Sequence, residues 1–263
     1  MRALITNDDG IDSPGLRALA ATAARRGLDV MVAAPSWDSS GASASLTAVE
    51  RDGRLLLDER TLDGLPGVTA LAVEAAPAFI VRAAVNGAFG PPPDLTLSGI
   101  NHGPNTGHAV LHSGTVGAAL TASTFGRSAL AVSIGMGAPT HWDTAAEIAG
   151  LALDWLLDAP SATVLNVNVP NVALAELTGF EQVRLAAFGA VQTTVTETGA
   201  GYVKLAYEDI DADLEPGTDA AALAAGAACY TPLRAACGAP DDDAATLAGR
   251  FAARAIDKEE ARR

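Results

Sequence analysis

The first eleven residues, MRALITNDDGI, constrain this chain more than any other stretch. Arg2 to Thr6 carries the apolar core of a short buried strand, Ala3, Leu4 and Ile5. The strand runs directly into Asn7, Asp8, Asp9 and Gly10. Pro14 then opens a segment with helical spacing at Leu16, Leu19, Ala20 and Ala23. A strand that feeds a helix in this way opens an α/β sheet, and ligands of such sheets bind outside the carboxyl ends of the strands. Two adjacent carboxylates at that edge repel each other unless a cation lies between them or one takes a proton. One Asp would be enough to cap the helix. Two of them after an Asn favour a hard cation, because oxygen ligands suit Mg, Ca and Mn. Gly10 permits the sharp turn this requires. Two-acid pockets also follow the first strand of phospho-acceptor and aspartyl-nucleophile proteins, so the stretch by itself leaves the chemistry open.

The rest of the chain repeats the strand–helix alternation. Leu28 to Ala34 is a nearly continuous apolar run ended by Pro35, as in a strand buried on both faces of a parallel sheet. With the first strand and helix it makes a βαβ unit, which implies a right-handed crossover. Short strands or a hairpin are expected between Arg51 and Ala72, then a helix over Pro77 to Val85 and a strand over Asp94 to Leu97. Further strands are expected over Ser128 to Ile134 and Thr163 to Val169, with an amphipathic helix, Trp142 to Leu157, between them. This alternation predicts a doubly wound α/β fold with a mostly parallel sheet through about residue 180. Beyond it, Val183 to Ala186, Val191 to Val195 and Tyr202 to Tyr207 suggest strands without intervening helices. The acidic Asp209 to Asp219 segment reads as exposed. Asp241 to Arg263 reads as a helix, acidic at its start and basic at its end as the macrodipole prefers. The expected organisation is therefore residues 1–180 as the catalytic domain and 181–263 as a smaller β-rich C-terminal part with a C-terminal helix.

Two loops carry the chemistry-bearing residues. Ser36 to Thr47, SWDSSGASASLT, leaves the second strand at the same edge as Asp8 and Asp9. Ser98 to Ala119, SGINHGPNTGHAVLHSGTVGAA, holds two Asn, three His and five Gly in twenty-two residues. Its Ser113-Gly114-Thr115 run precedes an Ala-rich helix, Val116 to Phe125. Hydroxyls and free amides at a helix start form an anion site, and simple N-capping is compatible with that role. His102, His108 and His112 make no H-E-x-x-H pattern, which favours loop histidines beside a phosphate over a zinc site. Asn166 and Asn168 alternate with apolar residues and read as buried ties between core elements.

Composition narrows the partners. A net charge of −14 argues against general binding to a nucleic acid backbone, which needs Lys and Arg clusters. Small anionic substrates then need a local device, such as a metal or a helix N-terminus. Cys229 and Cys237 complete no zinc pattern and read as apolar fillers in a reduced cytosol. No apolar run approaches the ~20 residues of a membrane span, and no signal segment precedes the first strand. The expected location is the cytoplasm.

Three segments taken together, TNDDG at 6–10, SSGAS at 39–43 and SGINHGPN with HSGTVGAA at 98–105 and 112–119, closely resemble the SurE family. These are stationary-phase survival proteins that act as metal-dependent 5′/3′-nucleotidases. LNVNVP at 165–170 and ACYTPL at 228–233 also resemble that family. The resemblance implies a Rossmann-like N-terminal domain and a homodimer or homotetramer built by exchange of the C-terminal hairpin and helix. It implies one divalent cation per subunit, held by Asp8, Asp9, Ser40 and Asn101. Ser40 is preferred to Ser39 because it directly precedes Gly41, as in the family's S-G-A-S pattern. The phosphate group falls to Ser113, Gly114 and Thr115, with Asn105 in the same motif, and Asp8 and Asp9 are the candidate catalytic residues. An all-oxygen ligand set suits Mg or Mn better than zinc. The implied reaction is hydrolysis of nucleoside monophosphates by direct attack of water, extending to short polyphosphate.

The chain departs from the family pattern at Thr106-Gly107-His108-Ala109, at His112 where a Tyr is usual, and at Ala75-Ala76-Pro77. It also lacks the Arg/Tyr/Trp-rich stretch over residues 187–207. These departures bear on base recognition and leave the metal set intact. A non-catalytic nucleotide- or metal-binding paralogue is the alternative reading. An aspartyl-phosphate mechanism with Asp8 as nucleophile is a third, but it normally uses a D-x-D spacing and leaves S-G-I-N unexplained.

Overall fold

A computed structural model describes residues 1–187, 191–209 and 214–236. In chain order its elements are β1 (Arg2–Thr6), α1 (Pro14–Arg25), β2 (Asp29–Pro35), β3 (Glu50–Arg51), β4 (Arg54–Leu55), β5 (Leu57–Arg60), β6 (Thr69–Val73), α2 (Pro77–Val85) and β7 (Leu95–His102). A 3-10 turn (Gly107–Leu111), α3 (Gly114–Thr124), β8 (Ser128–Ile134), α4 (Trp142–Leu157) and β9 (Val164–Val169) follow. After a short 3-10 turn (Leu174–Glu176) come β10 (Phe180–Gln182), β11 (Val191–Gly199), β12 (Tyr202–Asp209), α5 (Asp219–Ala224) and β13 (Ala228–Leu233).

The main sheet runs β10-β13-β9-β8-β7-β1-β2-β6-β5. Its six central strands, β6-β2-β1-β7-β8-β9, all pair in parallel. Counted along the chain these are strands 3-2-1-4-5-6, so the order reverses between β1 and β7. That reversal opens a crevice at the carboxyl ends of these two strands, the place where doubly wound sheets bind ligands. The expected α/β fold is therefore present, with its switch point between the two motif-bearing strands.

Both faces of the sheet are covered, which explains the near-continuous apolar strands. On one face α1 and α4 bury Leu16, Leu19, Ile148 and Leu153 against Ile5, Val32 and Leu97. On the other, α2 and α3 bury Ile80, Val81 and Val116 against Leu4, Met31 and Ala131. Each large aliphatic side chain so buried contributes roughly 1.5–3 kcal/mol. The four Ala and Gly residues from Gly117 to Ala119 and Ala122 keep α3 close to the sheet.

Four features differ from the sequence reading. β7 does not stop at Leu97: Asn101 and His102 continue it by pairing with Ser133 and Ile134 of β8, past an irregularity after Ser98. Residues 183–186 form no strand; β10 ends at Gln182 and pairs in parallel with β13. β13 joins the main sheet antiparallel to β9, so part of the chain beyond residue 180 extends the central sheet. Asp219, read as part of an exposed acidic segment, is fully buried. β11 and β12 form an antiparallel hairpin that pairs with no other strand among the described residues. The helix expected over residues 241–263, and Cys237, lie outside the described residues.

Candidate functional site

Because Thr6 and Ser98 are register partners, the tails of β1 and β7 bring Asp8, Asp9, Asn101 and His102 to one sheet edge. Asn7 closes the turn after β1. Its Nδ2 donates to Gly10 O at 3.1 Å, and Gly10 N donates back to Asn7 Oδ1 at 3.2 Å. Gly10 has φ +96°, the left-handed region where a side chain is strained.

Asp8 is buried and faces the start of α3. Thr115 N donates to Asp8 Oδ2 at 3.1 Å, and Thr115 Oγ1 donates to Asp8 Oδ1 at 2.5 Å. The approach is close enough that a Cβ on Gly114 would lie 2.8 Å from the Asp8 carboxylate. In this structure, then, the anion at the N-terminus of α3 is a side chain of the site itself. Asp9 Oδ2 accepts from His102 N at 3.2 Å. Burial raises the Asp8 carboxyl above its ordinary value, against the lowering effect of the Thr115 and Gly114 donors. Burial, then the charge of Asp8, pushes the Asp9 carboxyl up to about 6, with the His102 N–H opposing.

The serine loop is tied to the same place. Ser39 donates to Asp8 O from both its N, at 2.7 Å, and its Oγ, at 3.2 Å. Ser40 donates to Asp38 Oδ1 from N and Oγ, at 2.9 and 2.6 Å, which leaves the oxygen lone pairs of its hydroxyl as acceptors. Asn101 Nδ2 donates to Gly103 O at 2.7 Å, which leaves its side-chain carbonyl oxygen as an acceptor.

A cavity of about 520 Å³ opens at this edge. Asp8, Ser40, Asn101, Asn105 and Ser113 line it, with His102, His112 and Met136. Asp9, Gly114 and Thr115 are not among its lining residues. Ser39 does not line this cavity; it lines a neighbouring cleft with Trp37 and Ala76, which Ser40 also lines. Ser113 caps α3, its Oγ accepting from Val116 N at 3.1 Å, and an accepting hydroxyl keeps its own proton to donate.

The residues present fit a hard divalent cation. Two carboxylates, a hydroxyl and an amide carbonyl form an all-oxygen set. Burial makes both carboxyls resist ionisation, the charge of Asp8 adds to that at Asp9, and no ion pair among the described residues includes either one. A cation would relieve that repulsion. No cluster of three His, Cys, Asp or Glu able to hold a metal occurs among the described residues. His102 stacks in a tilted contact on Trp142, with ring centroids 5.9 Å apart.

Asn105 is locked from β8 and β9. Its N donates to Asn168 Oδ1 at 2.8 Å and its Nδ2 to Ser133 Oγ at 2.8 Å. Its carbonyl accepts from Asn166 and Asn168, at 2.8 and 3.0 Å. The two asparagines of β9 are thus the buried ties expected of them. Asp219 and Met136 were not singled out from sequence. For Asp219 a signal existed: Thr-Asp directly before an Ala-rich helix, with Thr218 at the N-cap.

The family model described as Survival protein SurE matches residues 3–191. The 5′-nucleotidase SurE of Nitrosococcus oceani is 37% identical over 241 residues, covering 89% of this chain and 91% of its own. The 5′/3′-nucleotidase SurE of Proteus mirabilis is 38% identical over 238 residues, covering 89% of each. The crystal structure of the SurE protein from Aquifex aeolicus superposes with a TM-score of 0.74 at 30% identity, covering 89% of this chain and 93% of that one. With its acid edge, serine loop and helix start all carried on that fold, this chain belongs to the SurE family.

Proposed function

We propose that this chain is a metal-dependent 5′/3′-nucleotidase that hydrolyses nucleoside monophosphates to nucleoside and phosphate, and short polyphosphate as a secondary substrate. The observation that carries the reading is the acid pair at the switch-point crevice, its buried member Asp8 lining a cavity with Ser40, Asn101 and Ser113 and the half-buried Asp9 beside it. The names of the relatives support the same reaction class.

In this reading Asp8, Asp9, Ser40 and Asn101 hold one divalent cation, Mg or Mn. When bound, that cation supplies positive charge against the phosphoryl oxygens. The chain does the rest by positioning. Asp8 is held by Thr115 and by the β1 turn, so its carboxylate needs no reorganisation during the reaction. Of the residues expected to hold the phosphate, Ser113 and Asn105 line the cavity, with the Ser113 hydroxyl the donor, whereas the Gly114 and Thr115 donors go to Asp8 and act by holding that carboxylate. Water attacks phosphorus directly, and the bond from phosphorus to the nucleoside oxygen breaks. Asp8 and Asp9 are the catalytic carboxylates. The protein acts in the cytoplasm; no helix among the described residues is long and apolar enough to cross a membrane. Residues 181–263, with the self-paired β11–β12 hairpin, serve a homodimer or homotetramer.

The test is phosphate release from a panel of 5′- and 3′-nucleoside monophosphates with Mg, Mn or EDTA. Metal-dependent release that EDTA abolishes is expected. A folded protein that binds Mn and releases phosphate from none of them overturns the reading in favour of a non-catalytic paralogue.

A further inference from the structure

The 3-10 turn Gly107–Leu111 contributes Ala109 to the cavity wall, and His112 follows it directly. Thr106 provides no side-chain cap for this turn. Its first amide is capped instead from the far end of the chain. Gly107 N donates to Asp219 Oδ2 at 2.8 Å. Asp219 is fully buried, and its other oxygen accepts from Ala186 N and Ala220 N, each at 2.9 Å. No ion pair among the described residues includes it. A carboxylate buried without a cation is costly unless donors fill its lone pairs. Here three backbone N–H groups do so, in bonds roughly twice as strong as neutral ones.

The arrangement has a specific chemical requirement. An Asn at 219 could keep one oxygen for Ala186 and Ala220, but it would turn an NH₂ toward the Gly107 N–H. The bond to the turn is therefore the one that demands a carboxylate. Upstream, the wall is already pinned at Asn105 by Ser133 and Asn168. Downstream, Ser43 donates to Leu111 O and His112 O, at 2.6 and 3.2 Å. Asp219 supplies an anchor at the start of the turn. Asp8 is held independently by Thr115 and Ser39. With the cation and phosphate groups assigned to Asp8, Ser40, Asn101, Asn105 and Ser113, Ala109 and His112 are among the lining residues that remain, with His102, Pro104 and Met136, to meet the rest of the substrate.

We infer that Asp219 is a positioning residue for the nucleoside-side wall of the cavity, acting through the Gly107 amide and leaving the acid edge untouched. The inference deepens the nucleotidase reading and rests on it. The experiment compares wild type, Asp219→Asn and Thr218→Ala with two probes: adenosine 5′-monophosphate and phenyl phosphate, which has no nucleoside. In Asp219→Asn the KM for the nucleotide should rise about tenfold, the scale of one lost bond to a charged group. Its kcat, its phenyl phosphate kinetics and its Mn affinity should stay within about threefold of wild type, a change below one such bond. Thr218→Ala removes the cap of α5, the 3.4 Å bond from Ala221 N, and should lower Tm without moving the nucleotide KM. An unmoved nucleotide KM in Asp219→Asn, equal losses with both probes, or the same shift in Thr218→Ala overturns the inference. Should Asp219→Asn not fold, Gly107→Ala disturbs the same bond from the turn side, with the same expected and overturning results. Should wild type turn over neither probe, the nucleotidase reading fails separately. Calorimetric affinity for adenosine 5′-monophosphate with Mn then replaces KM, and a wild type that binds none overturns both.

Discussion

Two groups of buried polar residues meet at one edge of the sheet, and they are satisfied in opposite ways. The amides of Asn105 and Asn168 and the carboxylate of Asp219 are filled by protein donors and acceptors, chiefly backbone, and Asn166 donates to the same Asn105 carbonyl while its own Oδ1 stays without a partner among the described residues. The carboxyls of Asp8 and Asp9 are left in conflict. Burial raises both, and the charge of Asp8 raises Asp9 further. A satisfied buried network rigidifies the structure around it. A pair of carboxyls with displaced titration instead marks a place where something external completes the charge balance. The contrast assigns chemistry to the acid edge and placement to the amide-lined wall, and three measurements can break or sharpen it.

The largest effect is expected at Asp8. Asp8→Asn removes one ionised oxygen donor while retaining the shape that Thr115 and Gly114 pack against. Hydrolysis should fall on the order of 100-fold or more, as for loss of one preorganised electrostatic group. Calorimetry should show weakened Mn binding, and circular dichroism should show the fold unchanged. Turnover near wild type would remove Asp8 from the chemistry.

A middle-sized effect concerns pH. The Asp9 carboxyl titrates near 6 in the folded chain, against an ordinary value near 3.8. The folded state therefore binds this proton more tightly than the unfolded state. Its stabilising contribution is fully present below about pH 4 and is lost as pH rises through about 6. Asp8 acts in the same direction. Metal-free protein should thus lose Tm between pH 5 and 7.5, and Asp9→Asn should lose less over the same interval. Because cation and protons compete for the same oxygens, Mn should raise the Tm of wild type more at pH 7.5 than at pH 5. Identical pH slopes for wild type and Asp9→Asn would show that the acid edge is not in conflict.

The smallest effect on chemistry is expected in the amide group. Asn168→Ala deletes the acceptor of Asn105 N and a donor to Asn105 O. Leaving a buried N–H unpaired costs about 1–3 kcal/mol, which urea denaturation would read. Mn affinity should not change. A fall in Mn affinity that parallels the loss of stability would erase the distinction between the two groups.

Much of this was legible in the chain itself. The apolar strands, the Pro-opened helices at Pro14 and Pro77 and the amphipathic Trp142–Leu157 helix are local features, and their boundaries follow from periodicity and backbone chemistry. The acid pair at the end of β1 was legible for the same reason, since a strand followed by NDDG and a helix can only present those carboxylates at the sheet edge. What lay beyond local reading were contacts between distant residues. Asn101 sits in a strand rather than a loop because β8 offers it a partner. The start of α3 receives Asp8 because two elements over a hundred residues apart in sequence pack at the switch point, with Gly114 leaving room for it. Asp219 looks like surface acid by composition, and becomes a buried anchor because the described fold brings three unpaired amides to it. Periodicity and turn chemistry act over a few residues and determined the elements and the acid edge. Which buried polar groups find partners depends on packing across the whole sheet, and only the tertiary structure decided that.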